Sequence, residues 1–222
     1  MANEPSQAVY ARQMLGTLAS ELLNEGMRFS PDKGLVAAIN ERVADIDRML
    51  TDQLNEILHH PDFQALEGSW QGLKDFVFGT ETSTRLKIRL MVASKSELLK
   101  DLESAVDYDM SVLFRKVYEE EYGTFGGNPY SMLIGDYHFG RHPQDISLLE
   151  RISKVAAAAH APFVAAAAPA LFDMRSFQEL GTPRDLSKIF ESAELVSWNG
   201  LRDSEDSRYV ALTLPRYAAR LP

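Results

Sequence analysis

The first third of the chain is dominated by apolar residues at helical spacing. Residues 7–25 place apolar side chains three and four positions apart, and Gly26 ends that pattern. Ser30 and Pro31 then supply an N-cap and a first helical residue for a second helix. At ~1.5 Å per residue this second helix is a rod about 42 Å long. Its apolar stripe consists of Leu35, Ile39, Val43, Ile46, Leu50, Leu54 and Ile57.

An apolar stripe this narrow cannot stabilise a long helix alone, because most of each turn stays in water. It needs a second helix, which is either the first helix folded back or a helix from a partner. A third helix is predicted after His59, His60 and Pro61, where the histidines are expected to cap the junction. Its heptad-spaced apolar residues are Phe63, Leu66, Trp70, Leu73 and Val77.

The hydrophobic period changes from helical to alternating after the third helix. Residues 85–92 alternate apolar and basic side chains, which predicts a half-buried strand. Ser94 and Glu97 form a capping-box pattern that begins another helix. The remaining predicted elements are a helix at 110–121, a strand at 132–134, a helix capped by Asp145, a strand after Ala161, short helices at 174–201 and a strand at 209–214.

This order of elements predicts an α/β (α+β) layered domain behind a helical N-terminal arm. We expect the arm to comprise residues 1–60 and the α/β domain residues 61–222. The chain stops directly after a predicted strand, so we expect the domain to be truncated at its C-terminal end.

A glycine-rich stretch at residues 122–139, YGTFGGNPYSMLIGDYHF, joins the helical and alanine-rich parts of the chain. A phosphate-binding loop needs glycines between a strand and a helix N-terminus. Here the glycines precede a strand, no lysine follows, and three glutamates at 119–121 would repel a phosphate. We therefore predict that Gly126 and Gly127 make a tight turn that places residues 132–134 in the sheet.

Composition excludes several classes of protein. The net charge of −9 and the pI near 5.1 argue against a nucleic-acid or anionic-membrane binder, because phosphates need a cationic surface. The absence of cysteine excludes disulfides and thiolate metal sites. No apolar run approaches the ~20 residues needed to span a bilayer, and the N-terminus lacks a secretory signal pattern. We predict a soluble, cytoplasmic protein without membrane insertion.

The candidate catalytic groups are few. Asp136, His138 and His142 could hold a metal ion, which leaves a metal-dependent hydrolase as the alternative function. His160, in an alanine-rich context, is expected to be a core histidine. Residues 202–208 alternate charges and are either solvated or an ion-paired contact corner. No pattern requires a cofactor, and the balance favours a structural or interaction protein over an enzyme.

Four blocks of sequence resemble the large sheath subunit of the bacterial type VI secretion system, the TssC/VipB/EvpB family. They are LEGSWQGLKDFV (66–77), YGTFGGNPYSMLIGDYHF (122–139), AAHAPFVAAAAPALF (158–172) and LRDSEDSRYVALTLPRYAARLP (201–222). The resemblance covers nearly the whole chain, but only the N-terminal half of such a subunit. It implies a non-enzymatic structural role.

The resemblance also implies partners. Such a subunit pairs with a small subunit (TssB/VipA), and other sheath protomers join the pair in a cytoplasmic tube around Hcp, which contracts. The ATPase ClpV then disassembles the tube, and on this resemblance it contacts Leu18, Glu21, Leu22, Leu23, Arg28 and Phe29. The small subunit is expected to contact the apolar stripe from Leu35 to Ile57 defined above.

Overall fold

The computed structural model describes residues 5–24, 35–181 and 185–217. Two compact units divide the chain, Met1–Glu67 and Gly68–Pro222. The first unit contains helix α1 (Pro5–Asn24) and helix α2 (Leu35–Leu58), and helix α3 (Pro61–Gly79) begins in it and ends in the second unit. His60 accepts a hydrogen bond at Nδ1 from the Asp62 backbone N–H at 3.3 Å, which confirms the expected capping role at the α2–α3 junction.

The second unit is a mixed α/β domain. Its described residues form one parallel sheet in the order β1 (Leu133–Phe139), β2 (Phe163–Ala167) and β3 (Val210–Thr213). Its other helices are α4 (Lys95–Ser104), α5 (Val112–Phe114, continued by a π-helical turn at Arg115–Glu119), α6 (Pro143–Ala158), α7 (Leu186–Ile189) and α8 (Val196–Asp203). The predicted fold class, an α/β layered domain with a helical N-terminal region, is confirmed.

The core of this unit lies between one face of the sheet and α6. Strand residues alternate in burial, so that Gly135 and Phe139 of β1 lie on the same face as Phe163 and Ala165 of β2. Against them α6 presents a stripe of buried side chains, which includes Ile146, Leu149, Ile152 and Val155. The expected apolar face of this helix is therefore present, and it makes the α/β layer contact.

The N-cap residue of α6 differs from the prediction. His142, and not Asp145, is the N-cap, since its Nδ1 accepts from the Gln144 N–H at 3.3 Å. Asp145 instead accepts from the Gly140 N–H at 2.8 Å and pairs with Lys95 at 2.5 Å. Pro143 fixes the first helical residue one turn earlier than the carboxylate alone would predict.

The predicted strand at residues 85–92 is wrong, because this segment is extended but pairs with no strand within the described residues. The predicted buried apolar face is also missing: Ile88 is half-buried, but Leu90 and Val92 are 68% and 103% exposed. Lys87 and Arg89 form hydrogen bonds with Asn128 and Glu121 instead of pointing freely into solvent. Alternation specifies two faces but not a hydrogen-bonding partner. The sequence pattern alone therefore could not predict that the ladder is absent.

Candidate interaction surfaces

The apolar stripe of α2 is an open surface. Val43, Ile46, Leu50, Leu54 and Ile57 are each between 41% and 56% exposed, all on one side of the helix. Ile39 is half-buried, and for Leu35 the structure describes the backbone only. Within the described residues, then, α1 does not cover the stripe.

The opposite side of α2 is charged and supports the helix locally. Arg48 forms an ion pair with Asp45 at 3.1 Å across one helical turn. Such exposed pairs contribute only a few tenths of a kcal/mol, roughly 0.2–0.5. The stability of α2 therefore depends mainly on what packs against its apolar stripe.

The predicted ATPase-contact residues lie mostly where side chains are not described. Leu18, Glu21, Leu22 and Leu23 belong to the last turns of α1, and only their backbone is described. Arg28 and Phe29 lie outside the described residues. Further back in the same helix, Tyr10 and Met14 are 65% and 58% exposed. The ATPase contact remains a prediction.

The glycine-rich stretch forms the tight turn that the sequence predicts. Gly126 has a positive φ of 81°, a conformation that favours glycine. A Cβ on Gly127 would lie 2.2 Å from the backbone oxygen of Glu121, so that no other residue fits there without a shift of the backbone. The Gly127 N–H closes the turn by donating to the Thr124 oxygen at 3.0 Å.

The side-chain carboxylate of Glu121 stabilises the glycine turn. Glu121 accepts the Asn128 N–H at 2.8 Å and forms an ion pair with Arg89. The Arg89 hydrogen bond, followed by that of Asn128, lowers the pKa of the Glu121 carboxyl. Lys87 completes the cluster by donating to the Asn128 side chain at 2.8 Å. The carboxylate satisfies the donors that an anion would need, so the geometry agrees with the prediction of a structural turn.

The three residues of the metal-site alternative do not form a site. His138 is half-buried on β1, and this burial, followed by the positive charge of Arg216, lowers the pKa of its imidazole. His142 is committed as the N-cap of α6, and Asp136 is exposed. In the part of the chain that the structure describes, no three His, Asp or Glu side chains converge on a common point. The metal-dependent hydrolase is not supported.

Two basic residues bridge the carboxyl edge of the sheet, where open α/β sheets usually bind ligands. Lys95 donates to the His138 oxygen at 2.8 Å and lies 4.7 Å from the centre of the Phe139 ring. Arg141 donates to the Ala170 oxygen at 2.9 Å and pairs with Asp173 and Glu194. Sequence reasoning missed these roles, because the partners lie up to 53 positions away. Both arrangements tie loops together.

Two further polar candidates have structural roles. His160 is exposed, so the prediction of a core histidine is wrong, and its Nδ1 lies 3.3 Å from the Tyr209 hydroxyl. In the charged segment 202–208, Arg208 pairs with Glu205 at the surface, and Arg202 lies over the Phe190 ring at 5.6 Å. The segment is an ion-paired corner with solvent-exposed charges.

No helix among the described residues combines the length and the apolar character needed to cross a lipid bilayer.

Comparison with known proteins identifies the class. The family model VipB, described as the EvpB-type tail sheath N-terminal domain, matches residues 40–222. The chain therefore belongs to the VipB/EvpB family of sheath proteins, as the four sequence blocks predicted.

A characterised relative narrows the class to type VI secretion. The chain is 49% identical over 208 residues to the type VI secretion system sheath protein TssC1 of Pseudomonas aeruginosa (strain PAO1). The aligned region is 93% of this chain and 41% of the relative. The chain thus spans less than half the length of that sheath protein and corresponds to its N-terminal domain.

Proposed function

We propose that the chain is the N-terminal portion of a type VI secretion sheath subunit and pairs with the small sheath subunit (TssB/VipA) through α2. The observation that carries the proposal is the row of five exposed apolar side chains on a 24-residue helix. Full burial of one such side chain contributes about 1.5–3 kcal/mol. A partner helix that covers the row would therefore supply most of the binding free energy.

In the assembled state, such pairs form the protomers of a cytoplasmic tube around Hcp, and contraction of the tube drives Hcp outward. The chain has no catalytic role in this proposal, and ATP is hydrolysed by ClpV when it disassembles the contracted tube. Family membership supports this assignment, and His142, one of the three candidate metal ligands, serves as the N-cap of α6.

Co-purification tests the small-subunit interface. The full chain and a variant lacking residues 1–60 are each co-expressed with the small sheath subunit of the same secretion system. We expect the full chain to co-purify in equal amounts, and the deletion variant to lose the partner. Undiminished binding by a folded deletion variant would place the interface in the α/β domain instead.

A second experiment tests the ATPase contact. Leu22→Asp and Phe29→Asp each replace a predicted apolar contact by a charge, and Tyr10→Asp makes the same kind of change at an exposed position nearer the start of α1. We expect the first two to weaken binding to the N-terminal domain of ClpV by about tenfold or more, and Tyr10→Asp to leave it unchanged. Equal affinities for all three variants would remove these residues from the contact.

A further inference from the structure

An aromatic groove lies on the second unit, at the carboxyl edge of the sheet. The residues that line it are Leu186, Ser187, Phe190, Trp198 and Arg202. Its volume of about 370 Å³ lies within the ~300–1,000 Å³ of sites that bind small ligands, so it can admit an aromatic side chain. Phe190 stacks on Trp198 with 6.4 Å between the ring centres, and both pack against the cluster that contains Ala167, the last residue of β2.

The groove offers hydrogen-bond donors that have no partner. The Arg202 guanidinium lies over the Phe190 ring at 5.6 Å, and no carboxylate of the described residues forms an ion pair with it. The Trp198 Nε1–H in the adjoining wall is buried without an acceptor among the described residues. None of the lining residues is acidic. An arginine stacked on an aromatic ring still presents its N–H groups to a carboxylate, so the groove is complementary to an apolar side chain with a carboxylate beside it.

The glycine turn at residues 122–128 presents an apolar side chain of this kind. Phe125 is 107% exposed, so no described residue covers its ring. The backbone on either side of it is restrained, because the Thr124 hydroxyl donates to the Glu119 oxygen at 2.6 Å and the Thr124 oxygen accepts the Gly127 N–H at 3.0 Å. A side chain held out by a restrained turn loses little conformational entropy on binding.

The turn also carries negative charge that is not paired. Glu119 and Glu120 are exposed, and neither carboxylate forms an ion pair within the described residues. The hydrogen bond from Thr124 to Glu119 keeps this part of the chain beside the turn. Glu121, in contrast, is occupied by Arg89. The turn therefore supplies the aromatic ring and the carboxylates for which the groove has complementary groups.

One unit cannot insert its turn into its own groove. The Tyr122 ring of the turn lies 6.1 Å from the ring of His160, which directly precedes β2, so the turn is at the amino edge of the sheet. The groove is at the opposite edge. The five residues of β2, at ~3.3 Å each, separate the two edges by roughly 16 Å. The two complementary surfaces can therefore meet only between two copies of the chain.

We infer that the glycine turn of one copy docks in the aromatic groove of a second copy. In this contact Phe125 packs against Phe190 and Trp198, and the carboxylates of Glu119 and Glu120 face Arg202. The contact joins two different surfaces, and such heterologous contacts extend into rings or helical filaments. The inference deepens the proposed function and rests on it for the role of the contact, which is to join neighbouring sheath subunits.

Photo-cross-linking tests the inference, because it captures a contact that is weak between isolated subunits. Phe125 is replaced by p-benzoylphenylalanine, a photoreactive analogue of phenylalanine. Phe78, which is 84% exposed on α3, receives the same replacement as the control. Each variant of the 222-residue chain is irradiated with an equal amount of isotopically labelled, unmodified chain. Mass spectrometry of the cross-linked peptides then distinguishes links between copies from links within one copy.

We expect position 125 to cross-link to residues 185–202 of the labelled copy, and position 78 not to do so. Arg202→Glu in the labelled copy should lower the yield about tenfold, a loss typical of a residue at the centre of an interface. Lys100→Glu makes the same charge change on the exposed side of α4 and should leave the yield unchanged. Circular dichroism checks that both variants are folded.

Three results would overturn the inference. The first is the absence of links between copies from position 125, and the second is an undiminished yield with folded Arg202→Glu. The third is a set of links that form only after the small sheath subunit is added and that map to it, which would assign the turn to that partner. Because the small subunit is absent from the main measurement, failure here leaves the pairing through α2 intact. Conversely, Leu50→Asp, which disrupts the α2 stripe, should not change the cross-linking.

Discussion

The carboxylate of Glu121 joins two segments that lie 32 positions apart in the sequence. It pairs with Arg89 of the extended segment and accepts the Asn128 N–H of the glycine turn. Both interactions need the charged form of the carboxyl, and together they lower its pKa. A group with a depressed pKa in the folded state stabilises the protein above its unfolded pKa and loses that contribution as the pH falls through the folded value.

The first prediction concerns the pH dependence of this contribution. Because an unperturbed glutamate titrates near ~4.3, the stabilisation by Glu121 should be complete at pH 7 and fall away below about pH 4. Glu121→Gln should therefore lower the urea midpoint at pH 7, and the gap to the unmodified chain should narrow at pH 3. Glu103→Gln, on the exposed side of α4, is the control. A gap that is independent of pH would contradict this role.

Gly127 is the residue whose identity the turn constrains most. Adding a methyl group would place it 2.2 Å from the Glu121 backbone oxygen, so Gly127→Ala must displace the backbone. We expect the free energy of unfolding to fall by about 1–3 kcal/mol, as for other overpacked sites. Gly200→Ala, in α8 with open space around it, should be neutral or stabilise by up to about 1 kcal/mol. Chemical denaturation followed by circular dichroism measures both, and equal stabilities would contradict the steric argument.

At the scale of elements, helix α2 carries the proposed interface. Leu50 is near the middle of its apolar stripe and is 53% exposed. Leu50→Asp should weaken binding of the small sheath subunit by about tenfold to 150-fold, which corresponds to the ~1.5–3 kcal/mol of a buried leucine. Asn55→Asp adds the same charge to another side of the helix and should bind normally. Isothermal titration calorimetry distinguishes the two, and equal affinities would contradict the interface.

The sequence predicted those elements whose formation depends on local pattern. Helices α1, α2 and α3 follow from 3.6-residue periodicity, and β2 and β3 follow from apolar runs bounded by turn residues. For β1 the apolar run predicted only residues 132–134, whereas the strand continues through Gly135 and Asp136 to Phe139. The prediction of a strand at 85–92 was wrong because a strand also needs a hydrogen-bonding partner, which local alternation does not specify. The predicted N-cap of α6 was wrong because Asp145 forms an ion pair with Lys95, which lies 50 positions earlier in the sequence.

The candidate interaction surfaces also include features that the sequence predicted and features that it did not. The apolar stripe of α2 was predictable because its residues recur within one helix, and the structure places five of them exposed on one side. The bridges made by Arg141, by contrast, join groups 29 to 53 positions apart. Sequence periodicity also could not predict which strand residues share a face of the sheet, since strand order and register are set by tertiary structure. Local periodicity therefore predicts the apolar stripe of α2, whereas the contacts that hold the α/β domain together depend on long-range pairing that periodicity does not show.

At the scale of the whole molecule, each of the two units presents an exposed surface. The α2 stripe belongs to the first unit and suits a helix of another protein, whereas the second unit exposes one edge and face of its parallel sheet, which include Ile134 and Asp136. The α2 stripe is apolar on a chain with net charge −9, a charge that favours solubility while the stripe is uncovered.

The central claim is that the chain pairs with the small sheath subunit, and the mass of the co-purified complex tests it most directly. The two proteins are co-expressed and analysed by size-exclusion chromatography with multi-angle light scattering, with Pseudomonas aeruginosa TssC1 and its own small subunit as the positive control. We predict one species containing the two proteins in equal numbers, and its loss with Leu50→Asp. Elution of the folded chain alone, while the TssC1 pair co-elutes, would contradict the claim.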